Sequence, residues 1–405
     1  MKKSPIIVLC LLLAVLLTSP VFGQSAKTQP PAGNPIKIGG SLPLTGLYSE
    51  PARWIKAGYE YWVQDVNEKG GLLGRPVKLT VYDDESNADK AVIHYERAIT
   101  VDKVDLIFGG YPAMSNVALM PMAEKYGKVF VGAGGMMKSF EQGYIYSFGS
   151  PPLMSDWLYV GLAGVIDDLI PKTEWPKTIA ILTMNNVIGL SGRGPLIKAM
   201  EERGIKVAVD ETYNLPLSDA TPLASKAKAR GAEILACFSF FDDGVMIMRA
   251  SKAINYKPKL IIQQVAPQTG EAWMRELSED GNIVLNHSAL CPGLPYPGNQ
   301  RIFDAATKRL GLKSPPNFFG MGYSFMYTLE VAIQGARTLD NEKIRDYMHS
   351  HKFDLPYGNG ITFDSRGLPA PYSFATQTTK GKNEVVWPKE VATTKLIYPR
   401  PDWSR

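Results

Sequence analysis

The side chains able to do chemistry are scattered along this chain rather than gathered into a motif. His94, His287, His349 and His351 fall into neither a metal-ligand nor a triad pattern. His349 and His351 stand two apart beside Asp354, a spacing that suits two faces of a strand or a loop better than one metal ion, so a solvated pair is expected. Gly132-Ala133-Gly134-Gly135 follows an apolar run but lacks the GxGxxG spacing and the Lys-Ser/Thr pair of a phosphate loop. Gly189-Leu190-Ser191-Gly192-Arg193-Gly194 lacks that pair too and reads as a glycine-rich lead into a helix. Asp83-Asp84-Glu85 carries the charge to hold a cation, yet three adjacent acids in a strand-end loop read as a solvated face. No catalytic constellation, metal or cofactor is therefore expected.

Small, polar and aromatic residues do recur behind strand-like runs. Tyr48 and Ser49 follow the first, Tyr111, Pro112, Ala113 and Ser115 the third, and Gly134, Gly135 and Met136 the fourth. Phe148 and Ser150 stand just before Pro151-Pro152, and the second half adds Phe240, Phe241 and Gln264. In an open α/β sheet, ligands bind outside the carboxyl ends of the strands, where strand order reverses. Aromatic walls, bare backbone and few charges suit an apolar or aromatic ligand held by a handful of hydrogen bonds. Ordinary loop and core packing is the alternative for each of these residues, because pocket linings and cores share residue types.

Such residues need a parallel sheet to bring them together, and the hydrophobic periodicity supplies one. Ile36 to Ser86 reads as strand, loop, amphipathic helix, Gly70-Gly71 stop, strand and acidic loop. Ser86 or Asn87 can cap a helix bearing Val92, Tyr95 and Ile99. Val104 to Phe108 is a short buried strand, and a helix near Ser115 to Tyr126 leads into Lys128 to Val131. A second alternation begins after Pro151-Pro152, with strands at Thr178 to Thr183, Ile205 to Val209, Glu233 to Phe238 and Leu260 to Gln263. Its helices are predicted near 157–169, 194–203, 223–229 and 243–253. Strands alternating with helices give a parallel sheet covered on both faces. Beyond Ile283 the chain turns irregular, with a helix predicted over 322–337 and strand-like returns from Ile361 to Trp387. Those late segments complete both sheets if the chain crosses between two halves more than once.

Composition and charge narrow the function classes. The chain is 45% hydrophobic and 20% charged, as ordinary globular proteins are. Lys2 and Lys3 precede an apolar run from Ile6 to Leu17 and a Val21-Phe22-Gly23 cleavage context, the pattern of a secretory leader cut before Gln24. The run falls short of the roughly 20 residues that span a bilayer. Residues 24–35 are expected to be a flexible lead-in. The remaining length exceeds what one core usually serves, so two domains are expected. Net charge is +5, falling to +3 without Lys2 and Lys3, and no dense Lys/Arg run argues for nucleic acid. Cys237, in an apolar run, and Cys291, in a Pro/Gly-rich loop, are expected to stay unpaired.

The chain resembles the periplasmic solute-binding proteins of the branched-chain amino acid and amide class of ABC importers, which have the type I periplasmic binding fold. The likeness covers about Ile36 to Trp403 and rests on IKIGGSLPLTG, NEKGGLLGRPVKLTVYDDES, FGGYPAMSN, EKYGKVFVGAGG, GNGITFDSRG and VVWP. It implies an α/β protein of two doubly wound lobes with central parallel sheets and three crossovers. Lobe 1 is expected at 36–153 and 288–362, and lobe 2 at 154–287 and 363–403. It also implies a monomer in the periplasm whose cleft closes on a small-molecule ligand and which docks on an inner-membrane ABC permease. In the amino-acid binders of this class a serine after the third strand meets the ligand carboxylate; Ala113 stands there, with Ser115 two residues on. The acid that pairs with the ligand ammonium corresponds to Gln264. An amide cannot supply that charge-assisted bond, so an aromatic or hydrophobic carboxylate or amide is favoured over a branched-chain amino acid. A ligand sensor of the same fold and a secreted hydrolase are the rival readings.

Overall fold

Two α/β bodies organise the polypeptide, one built round a single apolar core and the other with a core on each face of its sheet. The computed structural model describes residues 30–133, 137–149, 158–288, 290–312, 316–370 and 373–404. The expected leader lies outside them, as do Gly134, Gly135, Met136, Ser150 and the Pro151-Pro152 pair. From Ala32 the expected lead-in is tied down, since the Ala32 N–H donates to the Gly74 carbonyl at 2.9 Å and Arg75 Nε to the Asn34 carbonyl at 2.9 Å.

The first body alternates β1 (Ile36–Leu42), α1 (Ser49–Glu68), β2 (Val77–Asp83), α2 (Ala88–Thr100), β3 (Leu106–Ile107), α3 (Ala113–Lys125), β4 (Phe130–Ala133) and β5 (Ser147–Gly149). Strands β2-β1-β3 form one parallel sheet, and β4 pairs in parallel with β5. All of β1 except Lys37 is buried, as a strand covered by helices on both faces requires. Asn87 caps α2 by accepting from the Asp89 and Lys90 N–H groups. Gly70 and Gly71, at φ 98° and 83°, end α1 in the backbone region that glycine adopts freely.

The second body contains α4 (Leu158–Leu169), β6 (Thr178–Met184), α5 (Val187–Glu201), β7 (Lys206–Tyr213), α6 (Thr221–Ala229), β8 (Ile234–Phe238), α7 (Phe241–Ala253), β9 (Leu260–Gln263), α8 (Glu271–Leu277) and β10 (Leu285–Ser288). The chain then returns to the first body through α9 (Asn299–Leu310), α10 (Asn317–Ala336), α11 (Asn341–Ser350) and the antiparallel pair β11 (Phe353–Leu355) and β12 (Gly358–Ile361). It ends on the second as the hairpin β13 (Phe374–Thr379) and β14 (Lys382–Trp387). The second sheet runs β14-β13-β10-β9-β8-β6-β7, parallel from β10 to β7. Its last two strands are antiparallel, so the sheet is mixed, because Lys380 and Gly381 join β13 and β14 by a tight turn that reverses the chain. Residues from Ile36 to Phe148 and from Leu290 to Leu368 share one core. Those between Leu158 and Val284, with Ala375 and Val386, line the two faces of the other sheet.

Two elements depart from the periodicity. Helix α5 opens at Asn186, whose side chain accepts from the Gly189 N–H, so the glycine-rich stretch forms the helix itself rather than its lead. Helix α10 starts at Asn317, and its Gly322 crosses Gly58 of α1. A Cβ on Gly58 would collide with the Phe319 carbonyl, and one on Gly322 with that of Ile55. Trp62 Nε1 donates to Glu330 at 2.7 Å and Tyr323 Oη to Asp65 at 2.9 Å, locking this contact. Cys237 lies buried in β8 and Cys291 in a small cluster with Leu294, Phe374 and Val385, and both are free thiols.

Candidate ligand cleft

The loop from β1 to α1 is shaped by the acids at the end of β2. Asp83 accepts from the Leu44, Thr45 and Glu85 N–H groups and from Thr45 Oγ1, and Asp84 is buried with Ser41 Oγ donating to it at 2.9 Å. These acids hold the loop instead of forming a solvated face, and burial pushes the Asp84 carboxyl up to about 6. Ser86 completes the clasp by accepting from the Tyr48 N–H and donating to the Thr45 carbonyl. Tyr48 is thereby presented at the start of α1. After β3, Asn116 exchanges hydrogen bonds with both backbone groups of Gly110, at 2.8 and 3.0 Å, which fixes Tyr111 at the start of α3.

The second body answers with the loops after β8 and β9. Ser239 Oγ donates to Gln263 Oε1 at 2.6 Å, and Gln263 lies against Gly244, where a Cβ would come within 2.8 Å of the same oxygen. Helix α7 therefore starts tight against the sheet and sends Phe240 towards the first body. The rings of Tyr48 and Phe240 lie 5.4 Å apart, Tyr48 and Tyr111 6.4 Å, and Tyr111 and Phe318 of α10 5.8 Å, all edge to face. This aromatic chain crosses from one body to the other. Ala113 packs into a core of the second body and Val265 against that of the first, so the two bodies meet closely here.

Between them lies an outer cavity of about 220 Å³, walled by Tyr48, Ser49, Tyr111, Phe240, Phe241 and Met246 and by the loop Leu215–Leu217. Glu50, Asp242 and Asp243 also border it. A smaller inner cavity of about 40 Å³ shares Tyr111, Phe240 and Val265 with it and is closed by Pro112, Ala113, Gln264, Gln268, His287, Phe318 and Met321. Lysine and arginine are absent from the described lining of both. Burial raises the phenol of Tyr48, and that of Tyr111 further, so both rings stay neutral. Asp243, accepting from Tyr213 Oη, is pushed up to about 6 by burial. Burial also holds His287 down at about 4, leaving its imidazole neutral near pH 7.

Eight of the sequence-predicted residues thus converge: Tyr48, Ser49, Tyr111, Pro112, Ala113, Phe240, Phe241 and Gln264. Two do not. Ser115 is buried within α3, because its position carries it round the first turn and away from the cavities. Phe148 is buried against Phe363 and His349, as the inward face of β5 demands. His349 is not a solvated residue either, since its ring lies between the carbonyls of Asp364 and Ile145 at 3.0 and 3.1 Å. His287 and Asp243 were missed. Each sits at the end of a strand or the start of a helix like the residues chosen, but neither belongs to a motif.

A periplasmic binding protein family model matches residues 35–383. The chain belongs to that family. It is a family of binding proteins, not of enzymes, and the two-lobed α/β architecture is its type I fold. The binding protein is 24% identical over 368 residues to a Pseudomonas aeruginosa leucine-, isoleucine-, valine-, threonine- and alanine-binding protein, covering 90% of this chain and 93% of the relative. Among solved structures, a Thermotoga maritima leucine-binding protein superposes with a TM-score of 0.73 at 20% identity, covering 86% and 97% of the two chains. A Rhodopseudomonas palustris ABC-transporter solute-binding protein in complex with 3,4-dihydroxybenzoic acid superposes with a TM-score of 0.73 at 16% identity, covering 91% and 98%.

Proposed function

We propose that this binding protein works in the periplasm as the substrate-binding component of an ABC importer, capturing a small aromatic or hydrophobic solute bearing an amide or carboxylate. Two lobes close on the solute, divided as expected near 153/154, 287/288 and 362/363 except that Phe363 and Leu368 still pack into the core of lobe 1, and the closed form docks on an inner-membrane permease. The observation that carries this reading is the aromatic chain Phe318, Tyr111, Tyr48 and Phe240, which spans the cleft and needs contributions from both lobes. Edge-to-face walls of this kind take up a flat or branched apolar body by dispersion and burial. The remaining predicted contacts, Gly134, Gly135, Met136 and Ser150, belong to the same proposal. A ligand that touches both lobes favours the closed state by its differential affinity.

Two relatives support different ligands. The Rhodopseudomonas palustris neighbour holds an aromatic acid. A Streptococcus pneumoniae branched-chain amino acid binding protein, TM-score 0.74 at 16% identity over 88% of this chain and all of that one, holds isoleucine. Asp242 and Asp243 beside the outer cavity favour the amino acid as a second reading, since they offer the counter-charge that Gln264 lacks. Calorimetric titration with phenylacetamide, phenylacetate, benzoate, leucine and valine separates the two. Binding of at least one aromatic probe with no heat from leucine or valine is expected. Tight binding of leucine or valine without any aromatic binding overturns the aromatic reading.

A further inference from the structure

The deep end of the cleft carries two buried polar side chains, and an oxygen of one of them has no partner among the described residues. Gln264 is 2% exposed and His287 4%. Among the described residues Gln264 Oε1 is sealed from solvent without a hydrogen-bond partner, and the His287 ring lines the inner cavity beside it. Native proteins rarely leave such groups unsatisfied, and each one stranded costs about 1–3 kcal/mol.

Their placement follows from the sheet. Strands β9 and β10 are paired in parallel with Ile262 opposite Leu285 and Gln263 opposite Asn286, so the next step sets Gln264 beside His287. Gln268, in the turn after β9, donates from Nε2 to both the Gln264 and the His287 carbonyls at 2.9 Å. That bidentate clasp holds the two strand ends together with both side chains at the inner cavity. Gln268 is a positioning residue, and Gln264 and His287 are left for the ligand.

Resting on the cleft proposed above, we infer that Gln264 and His287 form a neutral polar subsite that selects an uncharged ligand head group able both to donate and to accept, such as a primary carboxamide. A neutral imidazole offers one donor and one acceptor, and a glutamine amide offers both as well. Among the described residues lining the inner cavity there is no carboxylate, lysine or arginine to compensate a charge. A charged head would be stripped of water there without an ion to pair with. The volume of about 40 Å³ admits a head of only a few atoms, while the apolar body stays in the outer cavity.

Three probes that share a benzyl body test this: phenylacetamide, phenylacetate and 2-phenylethylammonium, each titrated calorimetrically into the mature full-length protein at pH 7.5. Phenylacetamide is expected to bind about tenfold more tightly than either charged probe, the scale set by one well-satisfied buried group. His287→Phe and Gln264→Leu should each cut that preference to about threefold or less. Gln264→Glu, which keeps the side-chain size, should turn the preference towards the ammonium probe and serves where Gln264→Leu fails to fold by circular dichroism. Preference of the unsubstituted protein for a charged probe, or an amide preference untouched by folded Gln264→Glu and His287→Phe, overturns the subsite while leaving the aromatic cleft standing. Leucine binding with no response to any benzyl probe overturns the cleft reading itself.

Discussion

Phe240 shows how much a single side chain decides in this cleft. It begins α7 on lobe 2, yet its ring rests 5.4 Å from Tyr48 on lobe 1 and borders both cavities. Truncation to alanine removes the wall that one lobe offers the ligand of the other. Burying a phenylalanine is worth about 1.5–3 kcal/mol, with about 0.5–1.5 more for an aromatic pair. Phe240→Ala should therefore weaken binding of whichever benzyl probe the protein accepts by about thirtyfold to a thousandfold. Phe148→Ala, in the core of lobe 1, should instead lower the melting temperature by several degrees, because it opens a cavity. A titration and a thermal melt on each variant check both halves. The acids at the end of β2 teach a related lesson: from sequence Asp83 and Asp84 look like a charged surface, and in the fold they hold the loop that presents Tyr48.

At the scale of elements, local signals were strong wherever a side chain spoke to its own backbone. Asn87 caps α2 through two N–H groups, and replacement by alanine should cost about 1 kcal/mol, within a range of roughly 0.5–2, by urea denaturation. Ligand binding should be unchanged, since α2 does not line either cavity. Signals failed where packing overrode them. The glycines of α5 read as the lead into a helix, but Asn186 caps the helix ahead of them and they lie inside it. The N-terminal turn of α10, which carries Phe318 and Met321 to the inner cavity, has little helical patterning of its own. It is held by the close crossing of Gly58 and Gly322, whose partners are some 260 residues apart in sequence.

For the whole molecule, two buried groups set opposed pH responses. Asp243 is held up at about 6 in the folded protein against an ordinary value of 3.8, so its contribution is fully present below pH 3.8 and is lost as pH rises through 6. His287 is held down at about 4 against 6.5, so its contribution is present above pH 6.5 and is lost as pH falls through 4. Each pH unit of displacement is worth about 1.4 kcal/mol, which makes either effect on the order of 3 kcal/mol across its window. His287→Phe should gain stability relative to the unsubstituted protein as pH falls from 7 to 4, and Asp243→Asn should lose it. Melting temperatures of the three proteins from pH 4 to 7.5 test the sign, and parallel curves would contradict it.

The order of strands and helices, and so the α/β class, was written in the sequence itself, because periodicity, caps and glycine stops act over a few residues. Tyr48, Tyr111, Phe240 and Gln264 were legible for the same reason: each lies just behind a strand, and strand ends gather ligands. Sequence could not separate them from Phe148 and Ser115, which lie in similar places but turn inward by one step of strand or helix geometry. Only the tertiary structure could bring His287 beside Gln264, add Phe318 from α10 and leave Gln264 Oε1 without a partner among the described residues at the bottom of the cleft. Those are relations between segments distant in the chain, fixed by sheet register and by the packing of two bodies, and no local pattern encodes them.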